Sequence, residues 1–155
     1  MENYIGISDK RLRHSLGVAR KAYKIAKADG YEESYCRRMF MLGFVHDVGY
    51  EFAKNPEEHP DVGADMLKQL AEDCEDAILA IKEHGQMSAE KTDEWRILNM
   101  ADMLTNSDGR DVDATTRLND IKARYGKHSK QYLMACEICH QTMLLKSNPA
   151  QKPKK

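Results

Sequence analysis

The chain has 155 residues, a length that fits one ordinary domain with a sizeable core. Its 24 basic and 25 acidic residues give a formal net charge of −1 and are mixed along the sequence, which excludes a strong overall field for nucleic acid or a membrane surface. No run of about 18 apolar residues occurs and no basic-then-apolar segment opens the sequence, so the expectation is an unexported, cytoplasmic protein without a membrane partner, its Cys36, Cys74, Cys136 and Cys139 reduced.

In chain order, Ser8 caps a predicted helix that runs to about Gly30. At 100° per residue, Leu12, Leu16, Val18, Ala19, Ala22, Tyr23, Ile25 and Ala26 fill one arc of it, with Arg13, Arg20, Lys24 and Lys27 opposite and His14 at the apolar edge. A second helix is expected from Glu32 to Val48, carrying Met39, Phe40, Leu42, Phe44 and Val45, with Gly49 ending it just after His46-Asp47. Tyr50 to His59 reads as a loop through Asn55-Pro56, and Pro60 suits the first turn of a third helix over Asp61 to Leu70, with His59 at its entrance.

A fourth helix is predicted from Glu75 to His84, and a fifth from a cap at Thr92 or Asp93 to about Asn106. After a turn at Asp108-Gly109-Arg110-Asp111, two more cover Ala114 to Tyr125 and Ser129 to Lys146. No segment reads as a strand. The expected fold is all-α, a compact bundle of about seven helices forming a single domain over residues 1–147, followed by a disordered basic tail over 148–155.

In the fifth helix, Asp102 falls in line with Trp95 and Leu98 on the face expected to be buried. A carboxylate there needs a cation, several hydrogen-bond donors or a metal ion, since an unpaired buried charge costs several kcal/mol. His14, His46, His59 and His84 also fall at core-facing or helix-end positions, each on a different element. Imidazoles and carboxylates together suit divalent iron, manganese, cobalt, nickel or zinc. A single helix-end histidine, by contrast, is explained by a bond to a backbone carbonyl.

Two other patterns read as packing or turns. Cys136-Glu137-Ile138-Cys139-His140 has the form of a haem-attachment or redox motif, but at helical spacing Tyr132, Cys136, Cys139 and Met143 form one stripe facing the core or a partner, which leaves a homodimer open. Asp108, Asp111 and Asp113 lack the later glutamate of an EF-hand and read as a turn and a helix cap.

Certain stretches carry a resemblance: Arg11-Leu12-Arg13-His14-Ser15 with Val18-Ala19, Phe44-Val45-His46-Asp47-Val48-Gly49-Tyr50, His59-Pro60-Asp61-Val62-Gly63-Ala64, and Ala101-Asp102-Met103-Leu104-Thr105. With Asp108-Gly109-Arg110 and Ile121-Lys122-Ala123-Arg124-Tyr125-Gly126 they resemble, from about residue 11 to 126, the HD superfamily of metal-dependent phosphohydrolases. The resemblance implies a primary metal site of His14, His46, Asp47 and Asp102. His59 and His84 match the extra histidines of two-metal members, in which Asp47 bridges the ions. It further implies that Asp47, His59 and His84 serve catalysis, with one or two divalent ions as cofactor and a metal-generated hydroxide attacking a small phosphate ester or nucleotide. Arg11 and Arg110 are the candidates for holding the phosphate. The chain departs from many members in carrying Tyr50 where a lysine follows His-Asp-Val-Gly, although members with tyrosine also exist. A di-iron oxygenase and a non-catalytic domain binding a nucleotide or partner remain the alternatives.

Overall fold

The computed structural model describes residues 3–71, 74–88 and 90–147, with side chains through Thr142. The expected tail over 148–155 and the side chain of Met143 lie outside the described residues. Seven α-helices and no strand occur among the described residues: α1 (Asp9–Ala28), α2 (Glu33–Val45), α3 (His59–Leu70), α4 (Glu75–Lys82), α5 (Asp93–Met103), α6 (Ala114–Tyr125) and α7 (Lys130–Ser147). The class is all-α. The only pairing of extended backbone among these residues is one bridge between Thr105 and Asp111.

Three helix starts follow directly from their caps. Ser8 Oγ accepts from Arg11 N at 3.2 Å, Thr92 Oγ1 from Trp95 N at 3.1 Å and Asp113 Oδ1 from Thr116 N at 2.7 Å, each satisfying a backbone donor that the first turn leaves free. Thr92 rather than Asp93 is therefore the cap of α5, and Asp113 plays the capping role expected of the Asp108–Asp113 group. Pro60 stands in the first turn of α3, where its missing N–H costs nothing.

Burial is centred on α5, in which Trp95 through Ala101 and Met103 are all buried. It packs against α1, α2, α4 and α7, and α1 lies along α2. The apolar cluster includes Val18, Ile25, Met39, Leu42, Ile81, Trp95, Leu98, Met100 and Ile138. Burying Asn99 and Arg96 in this helix requires partners. Asn99 Nδ2 donates to Trp95 O at 2.8 Å and its Oδ1 accepts from Gly85 N at 2.8 Å, while Arg96 reaches Asp29 at 3.2 Å.

The structure corrects several sequence expectations, among them the ends of α4 and α5, which stop at Lys82 and Met103 rather than at His84 and about Asn106. Leu12 and Phe44 belong to the apolar positions expected of their helices yet are 47% and 41% exposed. The helix α2 stops at Val45, before the His46-Asp47 pair, and Gly49 does not end it in the left-handed region. Gly49 belongs instead to a 3-10 turn over Val48–Glu51, packed so closely on α3 that a Cβ there would run into the carbonyl of His59. The expected loop from Tyr50 to His59 contains that turn's end and a second 3-10 turn, Pro56–Glu58. Cys139 is buried in the core, as the packing reading of the Cys136–Cys139 motif expects. No helix among the described residues is long and apolar enough to cross a membrane.

Candidate metal centre

Five separate elements deliver the six predicted side chains to one place. His14 comes from the first half of α1, His46-Asp47 from the junction after α2, His59 from the first residue of α3, His84 from the turn after α4 and Asp102 from the last turn of α5. His14 Nε2 stands 2.9 Å from Asp102 Oδ1 and 3.9 Å from Asp47 Oδ2. His46 Nε2 lies 3.3 Å from Asp47 Oδ2 and 3.7 Å from Asp102 Oδ1. On the other carboxylate oxygen, His59 Nε2 and His84 Nε2 lie 3.3 and 3.2 Å from Asp47 Oδ1, and 3.0 Å from each other. Two ligand sets result, His14–His46–Asp102 and His46–Asp47–His84, each with its donor atoms within 4.8 Å of one another.

The four imidazoles are oriented in the same way. Their Nδ1 atoms lie 2.8 Å from Asn106 O, 2.6 Å from Gly43 O, 2.5 Å from Pro56 O and 2.6 Å from Ile81 O for His14, His46, His59 and His84 respectively. A carbonyl only accepts, so each Nδ1 carries the hydrogen and the other nitrogen, Nε2, turns to the centre. Three of these bonds reach back to residue i−3 at the end of a helix or turn. The carbonyl bond that would by itself explain a helix-end histidine is thus also what aims its Nε2 at the cluster.

The His84 turn is fixed to α5 twice over. Asn99 holds Gly85 N, and the Trp95 indole Nε1 donates to Glu83 O and Gln86 O at 3.3 and 3.2 Å. Across the site, the loop beginning at Asn106 is pressed on α1, where Gly17 and Gly109 meet backbone to backbone; Gly109 has φ +84, open to glycine without strain. That contact keeps the Asn106 carbonyl against His14.

Burial alone would push the Asp47 and Asp102 carboxyls up, but the surrounding histidines outweigh it and hold both well below the usual carboxylate range. Burial likewise pushes the His46 and His84 imidazoles down, and the facing Asp47 and Asp102 carboxylates outweigh it, leaving both above their ordinary value. The cluster therefore favours ionised carboxylates with a positive charge among the imidazoles.

The donors fit a divalent metal by two observations. His46 is 0% exposed and its Nε2 has no hydrogen-bond partner, a buried polar atom that needs one. The His59 and His84 Nε2 atoms face each other at 3.0 Å, a separation that either a proton shared between them or a cation beside them makes favourable. Nitrogen and carboxylate donors suit iron, manganese, cobalt, nickel or zinc.

At the mouth, Arg11 sits one turn before His14 on the same face of α1, with Nη1 3.8 Å from Asp47 Oδ2. Its guanidinium carbon lies 3.5 Å from the centre of the Tyr50 ring, and that ring stacks on His59 at 3.9 Å with 12° between planes. Burial and the Asp47 carboxylate push the Tyr50 phenol up to about 12, so it is neutral at physiological pH. Arg11 reaches the cluster, whereas Arg110 is exposed and the bonds it makes in the structure run through its backbone to Asn106. Sequence reasoning missed the Tyr50 stack, the four orienting carbonyls and the Asn99–Trp95 latch. Only the carbonyl bonds had a signal, in the placing of histidines at helix ends.

The chain belongs to the HD-domain family, whose model, described as HD domain, matches residues 11–107. No curated protein and no solved structure matches the chain. All six clustered side chains, Arg11 and Tyr50 lie inside the matched span. Asp108-Gly109-Arg110 and the Ile121–Gly126 stretch lie outside it, so the match ends short of the resemblance read from the sequence. The family is one of metal-dependent phosphohydrolases, and the buried histidine–aspartate group is one that can hold a metal.

Proposed function

We propose that this protein is a metal-dependent phosphohydrolase of a small phosphate ester, with a nucleotide as the leading substrate class. The observation that carries the reading is the convergence of four Nε2 atoms on two ionised carboxylates, with His46 Nε2 buried among them and without a hydrogen bond. His14, His46, Asp47 and Asp102 would hold a first ion, and Asp47, His59 and His84 a second. When bound, such an ion neutralises phosphoryl charge and acidifies water to a pKa of about 7, which makes hydroxide available at neutral pH.

The chain's own residues supply the rest. Arg11, about one-third exposed and carrying a planar fork of donors, binds the incoming phosphate from the mouth. Asp47 has one oxygen toward each ligand set, which orders both around a single carboxylate. The backbone carbonyls lock the imidazoles in the tautomer with Nε2 facing inward, so no reorientation precedes ligation. Nothing in this arrangement requires a covalent enzyme intermediate.

The test is metal content of the purified protein together with hydrolysis of a generic phosphate ester and a nucleotide panel, in wild type and Asp47→Ala. The expected outcome is bound metal in wild type, with turnover reduced at least about 100-fold in the variant. Bound metal without turnover under manganese, iron, cobalt, nickel or zinc would remove the hydrolase reading in favour of a binding domain or a di-iron oxygenase. Oxygen consumption by the iron-loaded protein separates those two.

A further inference from the structure

The Arg11, Tyr50 and His59 contacts form a layered arrangement. The Arg11 guanidinium carbon is 3.5 Å from the Tyr50 ring centre and the His59 ring centre is 3.9 Å from it. Atoms in van der Waals contact with a ring stand about 3.5 Å above it. Two groups that both lie this close to the ring centre would overlap if they shared a face, so they occupy opposite faces. Tyr50 is the middle layer of a sandwich with the mouth cation on one side and an inward-aimed imidazole on the other.

The backbone of this middle layer is tied on several sides. Tyr50 N donates to Asp47 O at 3.1 Å, and Tyr50 O accepts from Gly6 N at 2.9 Å. Next to it, Ile5 N donates to Ala53 O at 2.9 Å and Ile7 N to a Glu51 carboxylate oxygen at 3.0 Å. Gly49 meets the His59 backbone directly, which sets the distance between the turn and α3. Arg11, by contrast, is a long side chain whose other recorded side-chain contact is Asp47 at 3.8 Å. Without the ring, the guanidinium loses the face that sets its height above the centre, and the His59 imidazole, aimed by the Pro56 carbonyl, loses its stacked support.

We propose that Tyr50 is a positioning residue, whose ring faces space Arg11 from His59 so that a phosphate held by Arg11 arrives in register with His59 and Asp47. This rests on the metal-site reading above and adds a determinant that the ligand set does not contain. The ring face does the work, through stacking and cation–π attraction, and the hydroxyl does not.

The experiment is a calorimetric titration with Mn2+, followed by inorganic phosphate on the Mn2+-loaded protein, for wild type, Tyr50→Phe, Tyr50→Leu and Arg11→Ala. Tyr50→Leu is expected to weaken Mn2+ by about tenfold or more through His59 and to weaken phosphate as Arg11→Ala does, while Tyr50→Phe stays within about threefold of wild type on both. Arg11→Ala should weaken phosphate and leave Mn2+ nearly unchanged. Equal affinities in wild type and Tyr50→Leu overturn the proposal, as do equal losses in the Phe and Leu variants, or wild type that binds Mn2+ but no phosphate. The wild-type Mn2+ curve reports separately on the metal reading: if no ion is taken up, that reading falls and the proposal with it.

A measurement on the wild-type protein covers the case in which Tyr50→Leu does not fold. In the Zn2+-loaded protein, nuclear Overhauser contacts should run from the Tyr50 ring protons both to the Arg11 Cδ protons and to the His59 ring. The absence of either overturns the proposal.

Discussion

At Asp47 one carboxylate stands 3.2 to 3.3 Å from three imidazole nitrogens and 3.8 Å from a guanidinium, so its charge is shared by partners from four elements. This arrangement sets how stability varies with pH once metal has been stripped by a chelator. The Asp47 and Asp102 carboxyls are depressed in the fold, so their contribution is complete above the ordinary value near 3.8 and is lost as pH falls through their lower folded values. The His46 and His84 imidazoles are raised, so theirs is complete below 6.5 and is lost as pH rises through their higher folded values. Thermal melts in chelator should therefore be most favourable between about pH 4 and 6.5 and decline above it. Saturating Mn2+ should reverse the trend across neutral pH, because ligation displaces protons from the imidazoles and strengthens as they leave. Parallel melting curves with and without Mn2+ from pH 6 to 8 would contradict this.

At the scale of elements, the two short turns beside the site rest on contacts that can be removed one at a time. The turn after α4 is held in part by Asn99 accepting from Gly85 N, so Asn99→Leu should cost about 1–3 kcal/mol by leaving a donor without its partner. Denaturant unfolding measures the loss, and Mn2+ affinity should fall with it because His84 lies in that turn. Gly49→Ala sets a methyl against the His59 backbone, forcing the 3-10 turn off α3. The expected loss is about 1–3 kcal/mol from overpacking, with Tyr50 and Asp47 displaced from His59. Thermal unfolding that matches wild type would show that the turn yields without effect.

These same elements show what could be read from the sequence. Helix starts were legible because Ser8, Thr92 and Asp113 act locally through a donor three residues away. The end of α2 and the role of Gly49 were not, because both depend on α3 lying against the turn, a neighbour that no local pattern specifies. Leu12 and Phe44 mark the same limit: periodicity names an apolar arc but not how far its cover extends. The site was legible as a list, from the His46-Asp47 doublet with histidines and an aspartate on separate elements. Its division into two sets around Asp47, and the Tyr50 sandwich between Arg11 and His59, came only from the packing of α1 against α5 and of the 3-10 turn against α3.

Across the whole molecule, the centre joins α1 to α5 as well as the turns between them, so a ligand there should stabilise the bundle as a unit. An ion at about 1,000 times its dissociation constant adds roughly 4 kcal/mol to a protein that binds it only when folded. For a domain of this size that is a rise in melting temperature of about 10 °C. Calorimetric melts before and after Mn2+ addition test it, and His14→Ala should reduce the shift because it removes the link between α1 and Asp102.

The contact between His14 and Asp102 spans 88 residues. During synthesis from the N-terminus, His14, His46, Asp47, His59 and His84 are all made before Asp102 and the Asn106 carbonyl that orients His14. A growing chain thus carries four borderline imidazoles and one hard carboxylate before it has the geometry that distinguishes one ion from another. Any selection among metals would therefore belong to the finished chain, whose last ligand closes the site.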